Sequence, residues 1–150
     1  MSLSVHGDDH FMKQACKEAE AAFEASEIPV GAVVVCENKI IARDHNRVEQ
    51  LNDATAHAEM LALTAAQNYL ASKYLNECTL FVTLEPCSMC AGGLFWTRIG
   101  RVVIGTPDKT RGFSRYNKEI IHPGTTLQFG VMANECEILI KDFFRKIRGN

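Results

Sequence analysis

The sequence predicts an α/β fold, with a central mixed sheet of about five strands and helices packed on both faces. Three observations carry that prediction. Apolar residues recur at helical spacing near both ends, in "DHFMKQACKEAEAAFEASE" and in "ANECEILIKDFFRKIR". Short β-branched runs such as "GAVVV", "CTLFVTL" and "RVVIGT" lie between them. The last two runs are continuously apolar and are separated by a segment of helical length, which makes a β-α-β unit and implies a parallel pair.

The elements follow in chain order. Phe11, Ala15, Ala19, Ala22 and Phe23 mark the first helix, with Asp8 or Asp9 as its cap and Pro29 closing off any extension. "VGAVVVCENKIIARDHN" reads as a hairpin turning at Glu37-Asn38-Lys39. "DATAHAEMLALTAAQNYL" is rich in Ala, Leu and Met and reads as the second helix, with Asp53 or Thr55 as N-cap. "CTLFVTL" suits a strand covered on both faces. "PCSMCAGGLFWTRI" follows as the third helix, with Pro86 in its first turn. After the covered strand "RVVIGT" comes a long irregular stretch, "PDKTRGFSRYNKEIIHPG", of the kind that carries function in compact domains. "TLQFGVM" is a weaker final strand, and the amphipathic helix closes the chain.

At 150 residues the chain is expected to be one domain, 1–150, with a core that needs no disulfides. No stretch approaches the roughly 20 apolar residues of a membrane span. The start, "MSLSVHGDD", has neither a basic nor an apolar signal region. Six cysteines at scattered spacings do not form a secreted framework, so a reducing cytoplasm is the expected compartment. A net charge of −2 argues weakly against a dedicated nucleic-acid binder, but the charge is uneven. Residues 1–75 hold 6 Lys/Arg against 11 Asp/Glu, and residues 76–150 hold 10 against 7. Such a field guides an anionic ligand to one face, or else its cations only solvate a helical surface.

The candidate chemistry converges on two helix starts. His57 and Glu59 lie in "TAHAEM", and Cys87 and Cys90 lie in "EPCSMC". One nitrogen and two sulfurs suit zinc and leave its fourth position open to water, as a catalytic site requires. Unpaired N–H groups at the start of the third helix favour thiolate sulfur. Glu59 supplies a proton carrier. Residues two apart diverge by about 200° within a regular helix, so His57 and Glu59 can converge only in the first turn. Other readings stand beside this one. A redox Cys-x-x-Cys generally lacks an upstream His-x-Glu. A closed structural zinc site needs a fourth donor, for which Cys78, Cys136, His45 and His122 are candidates, none of them in a second ligand-spaced pair. Cys16, Cys36, Cys78 and Cys136 otherwise read as small core or incidental residues. His6 and His10 read as solvated.

His57-Ala58-Glu59 with Pro86-Cys87-Ser88-Met89-Cys90 resembles the His-x-Glu, Pro-Cys-x-x-Cys pattern of the zinc-dependent nucleoside and nucleobase deaminases. "IPVGAVVV", "TAHAEMLAL", "LFVTLEPCSMCAGG", "RIGRVVIGTPDKT" and "DFFRKIR" resemble, in order, blocks of the bacterial tRNA-specific adenosine deaminases. The resemblance implies the three-layer α-β-α fold of cytidine deaminases and a Zn2+ held by His57, Cys87 and Cys90. It implies Glu59 as acid/base and inosine made from the wobble adenosine of a tRNA anticodon loop. By matching position Asn46 would hydrogen-bond the purine, although a turn role at a strand end would also suit it. The main chain at Ala58 and Glu85 would line the pocket. Phe143, Phe144 and Arg145 would meet neighbouring nucleotides or phosphates, with one of the two phenylalanines in the core. A homodimer is implied as well. A deaminase of free bases such as guanine or cytosine, and a zinc-stabilised binding module, are the alternatives. The sequence departs from the pattern at Arg111-Gly112-Phe113-Ser114-Arg115-Tyr116, where a small-residue loop is usual, and at Ala54, where proline commonly stands.

Overall fold

A computed structural model describes residues 5–149. Helix α1 (Asp8–Glu24) buries Phe11, Met12, Ala15, Cys16, Ala19 and Ala22. Its N-cap is Gly7, so Asp8 and Asp9 lie inside the first turn, where the helix dipole favours them. Asp8 is drawn onto Arg101 in a two-pronged ion pair, at 2.8 and 2.6 Å. The helix ends well before Pro29. Ser26 turns left-handed (φ 62°) and the Glu27 N–H closes back on the Ala22 carbonyl at 2.9 Å.

Strands β1 (Gly31–Cys36) and β2 (Lys39–His45) form the hairpin. Glu37 and Asn38 both take positive φ, the two-residue turn that matches strand twist. A short helix α2 (Val48–Leu51), which the sequence pattern does not announce, precedes α3 (Ala58–Leu70). Then come β3 (Cys78–Leu84), α4 (Ser88–Thr97), β4 (Arg101–Thr106), α5 (Phe113–Tyr116), a 3-10 turn at Lys118–Ile120, β5 (Thr126–Phe129) and α6 (Ala133–Ile147).

The five strands run in the order β2-β1-β3-β4-β5. β1 is antiparallel to β2 and to β3, whereas β3, β4 and β5 are mutually parallel. The sheet is therefore mixed, as expected. The two-residue period of the strands sorts the core into two layers. Ala32, Val34, Leu80, Val82, Val102 and Ile104 join a cluster with Ala62 and Leu63 of α3 and Leu94 of α4. Val33, Val35, Phe81 and Val103 join the opposite cluster with Phe11, Met12 and Ala15 of α1 and Cys136 of α6. Each such side chain fully buried contributes about 1.5–3 kcal/mol. β5 is one of the two edge strands and all four of its residues are exposed, which explains its weak apolar signal.

Two more helix starts differ from expectation, as that of α1 does at Gly7. Asp53 does not cap α3, because its carboxylate accepts the N–H and hydroxyl of Thr55 at 2.8 and 2.7 Å in a local turn. The cap falls instead on His57. Pro86 lies ahead of α4 and not in its first turn, and Cys87 is the N-cap. Among the described residues no helix is long and apolar enough to cross a membrane.

Candidate active site

Helices α3 and α4 pack side by side on one face of the sheet and begin at the same place. Each is preceded by an extended cap residue, His57 (φ −79°, ψ 151°) and Cys87 (φ −73°, ψ 175°). Extended caps turn their side chains away from the helix bodies and toward each other. Cys90 sits one turn into α4 on the same face. His57 Nδ1 lies 3.6 Å from Cys87 Sγ and 3.5 Å from Cys90 Sγ. Zinc bonds of about 2.3 Å to sulfur and about 2.05 Å to nitrogen, at a tetrahedral angle, separate an N and an S donor by about 3.6 Å. The donor set fits zinc in chemistry and in spacing. Among the described residues no fourth His, Cys, Asp or Glu joins this cluster. His45 belongs with Glu18 and Asp44, Cys136 faces Cys16 at 3.6 Å, and Cys78 pairs in register with Cys36. A closed four-ligand structural site thus lacks its last donor.

The three donors share protons among themselves, which a bound metal would displace. Cys87 is drawn down to about 4, first by the Cys90 thiol donating to it, then by His57 and the Cys90 N–H, against burial. Cys90 is pushed up by that same donation and by burial. His57 is raised by its bond to Cys87. Glu59, the second residue of α3, is 4% exposed. Burial pushes its carboxyl up to about 7, and it lies within hydrogen-bonding reach of Cys90. His57 and Glu59 therefore converge at the helix start and do not diverge across its body.

The cluster opens into a groove of about 1370 Å³. One wall carries Ile28, Asn46, Val48 and Glu49, the other Pro107 to Arg111, and α6 contributes Ile140, Lys141 and Phe144. Asn46, buried at its mouth, has its N–H on the Val30 carbonyl at 3.1 Å. Ala58 and Glu85 line the groove, but the Glu85 carboxylate is turned onto the 108–114 segment. Phe143 is 5% exposed and packs edge-on to Phe23, while Phe144 is 39% exposed. Arg145 is not among the groove residues and pairs with Asp142 at 3.0 Å.

Glu27 was not singled out from sequence. It is 1% exposed, and its carboxylate accepts the N–H groups of Glu49 and Gln50 at 3.0 and 2.7 Å. It thereby caps α2 and fixes the groove wall behind Asn46. An acidic residue opening the apolar run "EIPVGAVVV" was the available signal.

Residues 6–106 match the cytidine and deoxycytidylate deaminase zinc-binding region. The chain belongs to that deaminase family. Within it the chain is similar to a tRNA-specific adenosine deaminase of Aquifex aeolicus (strain VF5), 42% identical over 96% of this chain and 98% of that protein. A solved structure from studies of A-to-I editing by tRNA deaminases at the wobble position is 37% identical, with a TM-score of 0.81, covering 87% of this chain and 98% of that one. A guanine deaminase from Bacillus subtilis is 36% identical with a TM-score of 0.65, over 68% of this chain and 66% of that one.

Proposed function

We propose that the chain, as one domain spanning 1–150, hydrolyses the wobble adenosine of a tRNA anticodon loop to inosine and ammonia. The observation that carries this reading is the groove. At about 1370 Å³ it exceeds the roughly 300–1,000 Å³ of a small-molecule pocket, and it runs past His57 and Cys87 with Lys109, Arg111 and Lys141 in its lining. The near full-length likeness to tRNA-specific adenosine deaminases supports it.

His57, Cys87 and Cys90 would hold Zn2+, which when bound supplies a Lewis acid that acidifies a water molecule. Glu59 accepts the proton of that water and returns protons to the ring and to the departing amine. Its raised affinity for a proton near neutrality suits a group that must take one up and give it back. Asn46 and the main chain at Ala58 and Glu85 orient the purine. Phe144 stacks on a neighbouring nucleotide, while Phe143 supports it from the core. The exposed aromatic surface of α4 supports a homodimer: Trp96 is 76% exposed and Phe95 meets it edge-on at 5.4 Å. Reduced cysteines suit a cytoplasmic setting.

The test pairs an anticodon stem-loop bearing a wobble adenosine with free guanine, adenine and cytosine, reading inosine and ammonia with zinc-loaded protein. Inosine in the RNA is expected. Ammonia from a free base, without inosine in RNA, would replace this reading with that of a free-base deaminase. Bound zinc with no product from any substrate would point to a binding module.

A further inference from the structure

We infer that Glu85 is a positioning residue, whose buried carboxylate fixes the turn Pro107–Arg111 as a rigid basic rim for the RNA backbone. The inference rests on the RNA reading above. Glu85 follows β3, is 3% exposed, and forms no ion pair among the described residues. One carboxylate oxygen accepts the Asp108 N–H at 3.1 Å. The other accepts the N–H and hydroxyl of Ser114 at 2.9 and 2.5 Å. A Cβ on Gly112 would overlap this carboxylate, so only glycine lets the turn close over it.

The turn is stitched down on both sides. The Phe113 N–H donates to the Pro86 carbonyl at 2.9 Å, and the Phe113 ring is 1% exposed in the core. Within the turn, the Asp108 carboxylate accepts the N–H groups of Thr110 and Arg111, at 3.0 and 3.1 Å. The Tyr116 hydroxyl donates to the Thr110 carbonyl at 2.9 Å. The charged side chains that stay exposed are Lys109 and Arg111. Among the described residues neither side chain makes a hydrogen bond or an ion pair, and both line the groove that holds His57 and Glu59. A buried carboxylate without a cation is a costly anchor. An apolar residue would fill the space, but it would not fix the directions of three donors. Glu85 thus aims two cations at the strand that enters the pocket.

The test uses zinc-loaded protein, the wobble-adenosine stem-loop, and three variants: E85Q, S114A and the double variant K109A/R111A. In E85Q zinc content is expected to hold, trypsin to nick after Lys109 or Arg111 where the wild type resists, and KM for RNA to rise about tenfold with kcat within twofold. The slope of log KM against log salt is expected to fall by about 1.4, the share of two single-strand phosphate contacts. S114A is expected to show the same pattern at about twofold. In the K109A/R111A background E85Q is expected to add nothing to KM. A turn that resists trypsin in both E85Q and S114A overturns the positioning role. A KM effect that adds fully to that of K109A/R111A places Glu85 in some other task. Absence of RNA turnover by the wild type overturns the reading beneath, and the trypsin result then still decides whether Glu85 holds the turn.

Discussion

Cys16 and Cys136 meet at 3.6 Å between α1 and α6, and Cys87 and Cys90 meet His57 at 3.6 and 3.5 Å where α3 and α4 begin. The contact distances match, but the first joins two sulfurs alone and the second brings a nitrogen to each sulfur. The first pair is sealed among Phe11, Met12, Val33 and Phe81, where their contact lowers Cys16 and, with burial, raises Cys136. In the second, Cys87 is a helix cap drawn down to about 4 by the Cys90 thiol first, and the His57 imidazole adds to it. Closeness of two sulfurs therefore says little about chemistry. A helix start and a nitrogen partner turn a thiol into a ligand.

The contrast can be broken most sharply at Cys87. C87A is expected to empty the site of zinc and bring ammonia release to background, as metal analysis and a turnover assay would show. E59Q is next. It is expected to keep its zinc and to lose about 10²–10⁴-fold in kcat. The same substitution tests the buried carboxyl through stability. Because the folded carboxyl is raised from 4.5 to about 7, its stabilising share is full below pH 4.5 and is lost as pH rises through about 7. Metal-free E59Q should therefore unfold later than metal-free wild type at pH 8, by about 3 kcal/mol in urea melts. C16A is expected to cost about 1–2 kcal/mol of stability with zinc and turnover within twofold. A loss of zinc in C16A would erase the distinction between the pairs.

The smallest effect lies at the far end of the helix that carries Cys16. D8N breaks the half-exposed pair with Arg101 and is expected to cost about 0.5–1 kcal/mol. Arg101 holds Asp8 below its usual 3.8. That contribution is present above pH 3.8 and fades as pH falls through the folded value, so D8N and wild type should converge in acid melts.

Much of this arrangement was legible before any coordinates. The continuous apolar run "CTLFVTL" foretold a strand covered on both faces, and the His-x-Glu and Cys-x-x-Cys spacings foretold which side chains meet. The helix starts were less legible, because Asp53 satisfies Thr55 locally and so leaves the cap to His57. Glu27 and α2 were hidden because their bond joins residues 22 and 23 apart, visible only once the hairpin folds back. Phe143 and Phe144 could not be told apart, since neighbours on a helix point about 100° from each other and only docking of α6 decides which goes inward. "RGFSRY" reads as an open loop, yet Phe113 is core and Ser114 is an anchor point.

His57 and Cys90 stand 33 residues apart, and the chain between them carries all of α3 and β3. Whatever grips both ends closes that length into a ring. A ring of this size removes about 4 kcal/mol of freedom from the unfolded chain, by the entropy that applies to a disulfide loop. All six cysteines are free thiols, so no covalent staple shares that task. Catalyst and clasp would be one object, and a chelator would then lower the melting temperature in step with the metal it withdraws.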